Sequence, residues 1–227
     1  MAAILTQQQQ FEEARNLYKK LLQSPPPNAA PGARHVLEFV IARLSFLLGD
    51  FKASAERFAS VREALQREGD DAIPDEIRQQ ILARPELTYR LMAESFLRDD
   101  RLDDAEALFR LADQSKPNPG VLGYHLAQVA QARGDREKAL EELGKYFEAK
   151  LTSAGMEPYR LLTELVDGKR DTPKEDDPSD ERTKPFSPEL LERLVKRAEN
   201  DPDNPLLGYY LADGLLKAGK LDEAEKQ

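Results

Sequence analysis

Two histidines, His35 and His125, are the only imidazoles in this chain of 227 residues, and it contains no cysteine. Acid–base or nucleophilic catalysis needs such groups within hydrogen-bond reach of one another. His35 opens one amphipathic stretch and His125 lies within another, where a packed or half-exposed surface role is expected. They show no His-x-x-x-His spacing, so a metal site has no support. The lack of Cys removes disulfides, thiol nucleophiles, iron–sulfur clusters and thiolate zinc, and leaves the compartment open. No nucleophile elbow, P-loop or dinucleotide-binding glycine motif occurs. The 42 Asp and Glu are scattered over polar faces and turns, as solvated helices require. The expectation is a non-enzymatic chain with no cofactor and no metal.

Charge narrows the partners. The 33 Lys and Arg leave a net charge of −9, which repels nucleic acid and anionic membranes. No apolar run approaches the roughly 20 residues of a membrane span. The first ten residues, Met1 to Gln10, lack the basic and apolar regions of a signal peptide.

The elements that would carry any function repeat. The stretches Tyr89 to Ala105, Gly123 to Ala139 and Gly208 to Ala224 align without a gap. Each places a small residue at the centre of an amphipathic helix: Ala93, Ala127 and Ala212. Each then has a polar turn with Asp100, Gly134 or Gly219, and an Ala that begins a second helix. Ala105 and Ala139 are 34 residues apart. Small residues let two helices approach closely, and bulky neighbours fill the space around them. Gly49, Gly134 and Gly219 fall where a helix end favours positive φ, and Asp100 tolerates that region better than most residues. Pro26, Pro117 and Pro202 follow second helices and stop them.

This pattern resembles the tetratricopeptide repeat (TPR) family. The unit ending at Pro117 matches through Tyr89, Met92, Ala93, Phe96, Ala105, Phe109 and Ala112. Gly123 and Gly208 depart from it, standing where the family has a large residue, and Ser54 replaces an expected Ala. The resemblance implies an all-α, right-handed α-solenoid of antiparallel helix pairs, a TPR superhelix. Residues 1–166 read as the array: an incomplete first repeat, full repeats near 34–66, 86–118 and 120–153, and a degenerate helix at 156–166. Roughly 17 residues beyond one repeat lie between Gly69 and Pro85, with a short helix over 75–82. Residues 167–186 have the charge and proline content of a disordered insertion. Further repeat helices occupy 187–227, with Ser187-Pro188-Glu189 as a helix start. Neither end reads as a polar cap, so the expectation is a piece of a longer repeat protein or ends covered by partners.

In TPR proteins a concave groove is lined by the first helix of each hairpin. Carried over, that surface is Val36, Phe39, Arg43, Phe46 and Leu47, then Leu87, Arg90, Glu94, Leu97 and Arg98. Further on it is Val121, Tyr124, Gln128, Gln131 and Ala132, then Leu206, Tyr209, Asp213, Leu216 and Lys217. The residues at the family's carboxylate-clamp positions (Phe39, Arg43, Leu91, Val121, His125) depart from that clamp. Arg90 and Arg98 either face a partner or close helix pairs with Glu86 and Glu94. Arg43 has no acid four residues away. Phe39, Phe46 and Tyr124 either line the groove or pack between repeats. The function implied is a scaffold that binds a protein or peptide partner. The rival is a structural arm of a larger multidomain or cell-envelope machine, for secretion or polysaccharide export, that self-associates through open solenoid ends.

Overall fold

The computed structural model describes residues 1–30, 32–68, 73–168 and 185–226, and these form helices with no strand. The chain divides into two compact units, Met1–Pro117 and Asn118–Gln227. The first holds α1 (Ala2–Gln7), α2 (Phe11–Gln23), α3 (Ala33–Leu47), α4 (Phe51–Gln66), α5 (Asp75–Ile81), α6 (Pro85–Arg98) and α7 (Leu102–Ser115). Helices α1 and α2, α3 and α4, and α6 and α7 form hairpins, and α3 and α6 pack on α2 and α4 respectively. The second unit holds α8 (Pro119–Ala132), α9 (Arg136–Glu148), α10 (Glu157–Asp167), α11 (Pro188–Asn200), α12 (Pro205–Lys217) and α13 (Leu221–Ala224). Here α8 pairs with α9, α10 with α11, and α12 with α13.

One turn closes the tight hairpins. Gln9, Gly49, Asp100, Gly134 and Gly219 all have φ between 59° and 78°. The next residue's amide then donates back to the last helical turn: Asp50 to Ser45, Arg101 to Phe96, Asp135 to Ala130 and Lys220 to Leu215, at 2.8–2.9 Å. This left-handed cap satisfies carbonyls that the helix end would leave open. Asp50 and Asp135 then accept from Ala53 and Lys138 as N-caps of the second helix. The turn stops one helix and starts the next within three residues.

The small residues lie where the helices cross. Ala14, Ala42, Ala93, Ala105, Ala127 and Ala139 are fully buried. Ser54 is equally buried: its hydroxyl donates to the Ala42 carbonyl at 2.9 Å and lies 3.0 Å from Ser95 Oγ. The hydroxyl is therefore satisfied, and Ser serves in place of Ala. Gly123 has a steric reason. A Cβ there would sit 2.6 Å from the Glu142 carbonyl and 2.9 Å from Lys145 Cβ, so α8 lies directly against the α9 backbone.

The first inserted segment packs into unit 1. Ile73 and Ile81 are buried, and Thr88 Oγ1 donates to the Ile81 carbonyl at 2.9 Å. Its residues 69–72 lie outside the described residues, as do 169–184 of the tether expected over 167–186. At that tether's edges the chain is packed. Asp167 accepts hydrogen bonds from the Ser187 amide and hydroxyl, and Phe186 is buried against α12. Its ring lies so close to Gly214 that no Cβ would fit at that position.

Candidate functional site

In unit 1 the first helices of two successive hairpins, α3 and α6, carry ten of the candidate groove residues. Phe39 is half-buried, edge-on to Phe58 with centroids 5.9 Å apart. The exposed Arg43 guanidinium lies 5.7 Å above the Phe39 ring. One turn along the same face, Phe46 meets Phe51 edge-on at 5.4 Å. Arg98 reaches from α6 to lie 5.7 Å over the other side of that contact, above Phe51. Phe51, the first residue of α4, thus joins the two surfaces.

Along α6, Arg90, Glu94 and Arg98 follow at four-residue spacing. The two helix pairs expected from the sequence do not close. Glu86 takes Arg84 instead, at 3.5 Å, and among the described residues neither Arg90 nor Arg98 has a carboxylate at ion-pair distance. Arg43 also has none. Burial raises the Glu94 pKa, while the charges of Arg90 and Arg98 pull it down without overcoming that burial.

Most other arginines in unit 1 are engaged by acids. Arg15 meets Asp50 at 3.0 Å, Arg101 meets Asp104 at 2.7 Å and Arg110 meets Glu106 at 2.8 Å. Burial pushes the Asp104 pKa up, but hydrogen bonds from Arg101 and Arg62 outweigh it and hold the carboxyl below its ordinary value.

His35 is no free surface group. Its Nδ1 lies 3.6 Å from the carboxylate of Glu38, which is only 1% exposed. Glu38 accepts from Arg34 Nε at 3.1 Å and Ser60 Oγ at 2.9 Å, with Arg57 at 3.8 Å. This buried acid ties α3 to α4. The sequence signal for it was a single Glu on an otherwise apolar face, with Arg34 one turn before.

In unit 2 Tyr124 takes the packing alternative. Tyr124 is 9% exposed and belongs to the core. Its ring packs 5.6 Å from Tyr146, and its hydroxyl accepts from Gln128 Nε2 at 3.2 Å. Gln128 Oε1 lies 3.3 Å from Nδ1 of the buried His125. The close approach of α8 to α9 at Gly123 draws these side chains inward. Further along, α12 keeps an open face. Tyr209 is 71% exposed and Leu216 52%, and between them Asp213 bonds Lys217 at 2.7 Å. The sequence offered no signal for Phe186, which packs on Tyr210 at 5.4 Å with the Lys217 ammonium 6.0 Å above its ring.

An apolar cavity of about 650 Å³ in unit 1 lies between α2, α3 and α5, walled by Leu21, Leu22, Pro25, Val36, Leu37 and Ile77. Among the described residues no three His, Asp or Glu side chains gather as metal ligands. No described helix is long and apolar enough to cross a membrane.

No protein-family model matches the chain, and no curated protein matches it. Within each unit the described helices form the antiparallel hairpins, small-residue crossings and left-handed turns that the repeat pattern called for. Among solved structures the chain is similar to a thermophilic TPR protein of Thermus thermophilus, at 17% identity over 95% of each chain and a TM-score of 0.44.

Proposed function

We propose that the chain is a protein-interaction scaffold whose α3–α6 surface in unit 1 takes an acidic segment of a partner. One observation carries this reading. Arg43, Arg90 and Arg98 have no carboxylate at ion-pair distance among the described residues, Glu94 acting on Arg90 and Arg98 only from further off, while most arginines elsewhere in unit 1 are paired. Arg43 over Phe39 and Arg98 over Phe51, with Arg90 on the same helix as Arg98, suit a segment that alternates acidic and apolar side chains. Such a surface keeps its sign although the whole chain is acidic. Glu94 sets the register, because a partner carboxylate is favoured beside Arg43 or Arg98 and disfavoured beside Glu94.

Fluorescence anisotropy with labelled peptides that alternate Glu with Leu or Phe tests this. Binding should weaken as salt rises, and Arg43→Glu with Arg90→Glu should weaken it at least tenfold while circular dichroism stays unchanged. Equal binding by wild type and variant would remove the α3–α6 surface from consideration.

A second reading, self-association, is favoured by Tyr209, Leu216 and Leu221 on α12 and α13, each more than half exposed. Light scattering across a concentration series separates the two. A mass that rises with concentration in wild type, and not in Leu216→Glu, supports association through that face. A constant monomer mass opposes it.

A further inference from the structure

A second cavity, of about 310 Å³, lies in unit 2 between the C-terminal ends of α9 and α11. Its wall includes Phe147, Lys150, Leu151, Arg197, Asn204 and Leu207. Arg197 is the unusual member. Its guanidinium carbon stands 4.0 Å over the Phe147 ring, and its Nε is buried with no hydrogen-bond partner. No carboxylate among the described residues lies at ion-pair distance from it, whereas Arg193, one turn earlier on α11, is held by Glu189 at 3.1 Å. Burial pushes the Arg197 pKa down and the charge of Arg193 adds to that, while Tyr159 and Glu148 act against them without prevailing.

An N–H removed from water and given no acceptor is costly, and the face of one aromatic ring offsets only part of that cost. The neighbouring groups are already committed. The Asn204 side chain accepts from the Leu207 amide at 3.1 Å and donates to Asp201 at 2.8 Å. Asn200 donates to the Lys196 carbonyl at 2.9 Å. Arg197 lines the cavity with its Nε unpartnered and no acid at ion-pair distance.

We infer that this cavity binds the carboxylate of a small organic monoacid, held by the Arg197 fork, with the acid's apolar body against Leu151 and Leu207. The guanidinium matches a carboxylate through two parallel hydrogen bonds. Glu148 and Asp201 also line the cavity, and their charge disfavours a dianion such as phosphate. The volume is at the low end of the range for ligand pockets, roughly 300–1,000 Å³, which favours a small body. This site does not depend on the α3–α6 surface, and neither reading stands or falls with the other.

The test uses the full chain with benzoate and N-acetylphenylalanine as probes, and N-acetylphenylalaninamide and inorganic phosphate as controls. Each carboxylate should shift the Arg197 Nε–Hε resonance in a saturable way and raise Tm. The amide and phosphate should do neither. Arg197→Met keeps a chain of similar length against Phe147 and should weaken carboxylate binding at least tenfold. Arg193→Met should leave it unchanged. If Arg197→Met fails to fold, the wild-type titration decides alone. An Arg197 resonance that no carboxylate moves, or that the amide moves equally, overturns the proposal. Tighter binding of phosphate than of benzoate overturns it as well.

Discussion

The first helices α3 and α8 occupy the same place in their hairpins, yet they treat their aromatics in opposite ways. On α3, Phe39 and Phe46 stay half-exposed and Arg43 lies over a ring at the surface. On α8, Tyr124 and His125 are buried and Gln128 is spent on both. Repeat position therefore does not fix exposure; the distance to the neighbouring helix does. Gly123 allows α8 to lie against the α9 backbone, and the space around Tyr124 is closed by Tyr146. The lesson is local. Gly123 lets α8 settle on α9 and Tyr124 become core, whereas Gly208 at the same position of α12 leaves Tyr209 71% exposed.

Substitutions at these two places give the largest contrast. Tyr124→Ala should cost about 3–4 kcal/mol, as removal of a buried aromatic does, and Phe39→Ala only about 1–2 kcal/mol. Urea unfolding measures both, and equal losses would break the comparison. A pair of glycines sharpens it. Gly123→Ala forces a Cβ to within 2.6 Å of a backbone carbonyl, so it should destabilise by about 1–3 kcal/mol despite the better helix propensity. Gly144→Ala, in the interior of α9 with nothing within 4 Å of its added Cβ, should stabilise by about 0.5–1 kcal/mol. Stabilisation in both would mean that close approach at Gly123 is not what turns α8 inward.

The smallest expected effect concerns charge on the exposed side. The Glu94 pKa is raised in the folded state, chiefly by burial. Its folded form therefore holds the proton more tightly than the unfolded chain does. The stability this contributes is complete below the unfolded pKa and is lost as pH rises through the folded pKa. Glu94→Gln removes that loss, so the variant should gain on wild type between about pH 4 and pH 7. Denaturation at the two pH values checks it, and a variant that falls behind as pH rises would show that Arg90 and Arg98 pair with Glu94 more strongly than burial opposes it.

Much of the architecture was legible from residue types. The hairpin turns were marked by Gly49, Gly134 and Gly219, and Asp100 stood in the same conformation because its short polar side chain tolerates it. Crossing points were marked by Ala, and even the Ser54 departure was a conservative one once its hydroxyl found the Ala42 carbonyl. The candidate surface was legible only in part. Arg43, Arg90 and Arg98 fall on first helices by spacing alone, but spacing equally allowed Arg90 and Arg98 to pair with Glu86 and Glu94. Glu86 was taken by Arg84, a residue outside the helix that no four-residue rule considers. Glu38 showed only as a lone acid on an apolar face, and Arg197 was not legible as a site, because a charged residue in an amphipathic helix reads as solvated until its neighbours are known.

The sequence by itself determined the helices, their turns and the order of the hairpins. Those follow from backbone preferences and from hydrophobic periodicity, which act over a few residues. Tertiary structure alone decided which side chains remain available. It buried Tyr124, lodged Phe186 against Gly214, gave Glu38 its partners and left Arg197 with no acid at ion-pair distance. Those outcomes depend on how closely two helices approach and on which acid reaches which base first. Both are set by contacts between residues far apart in the chain, where no local pattern records them.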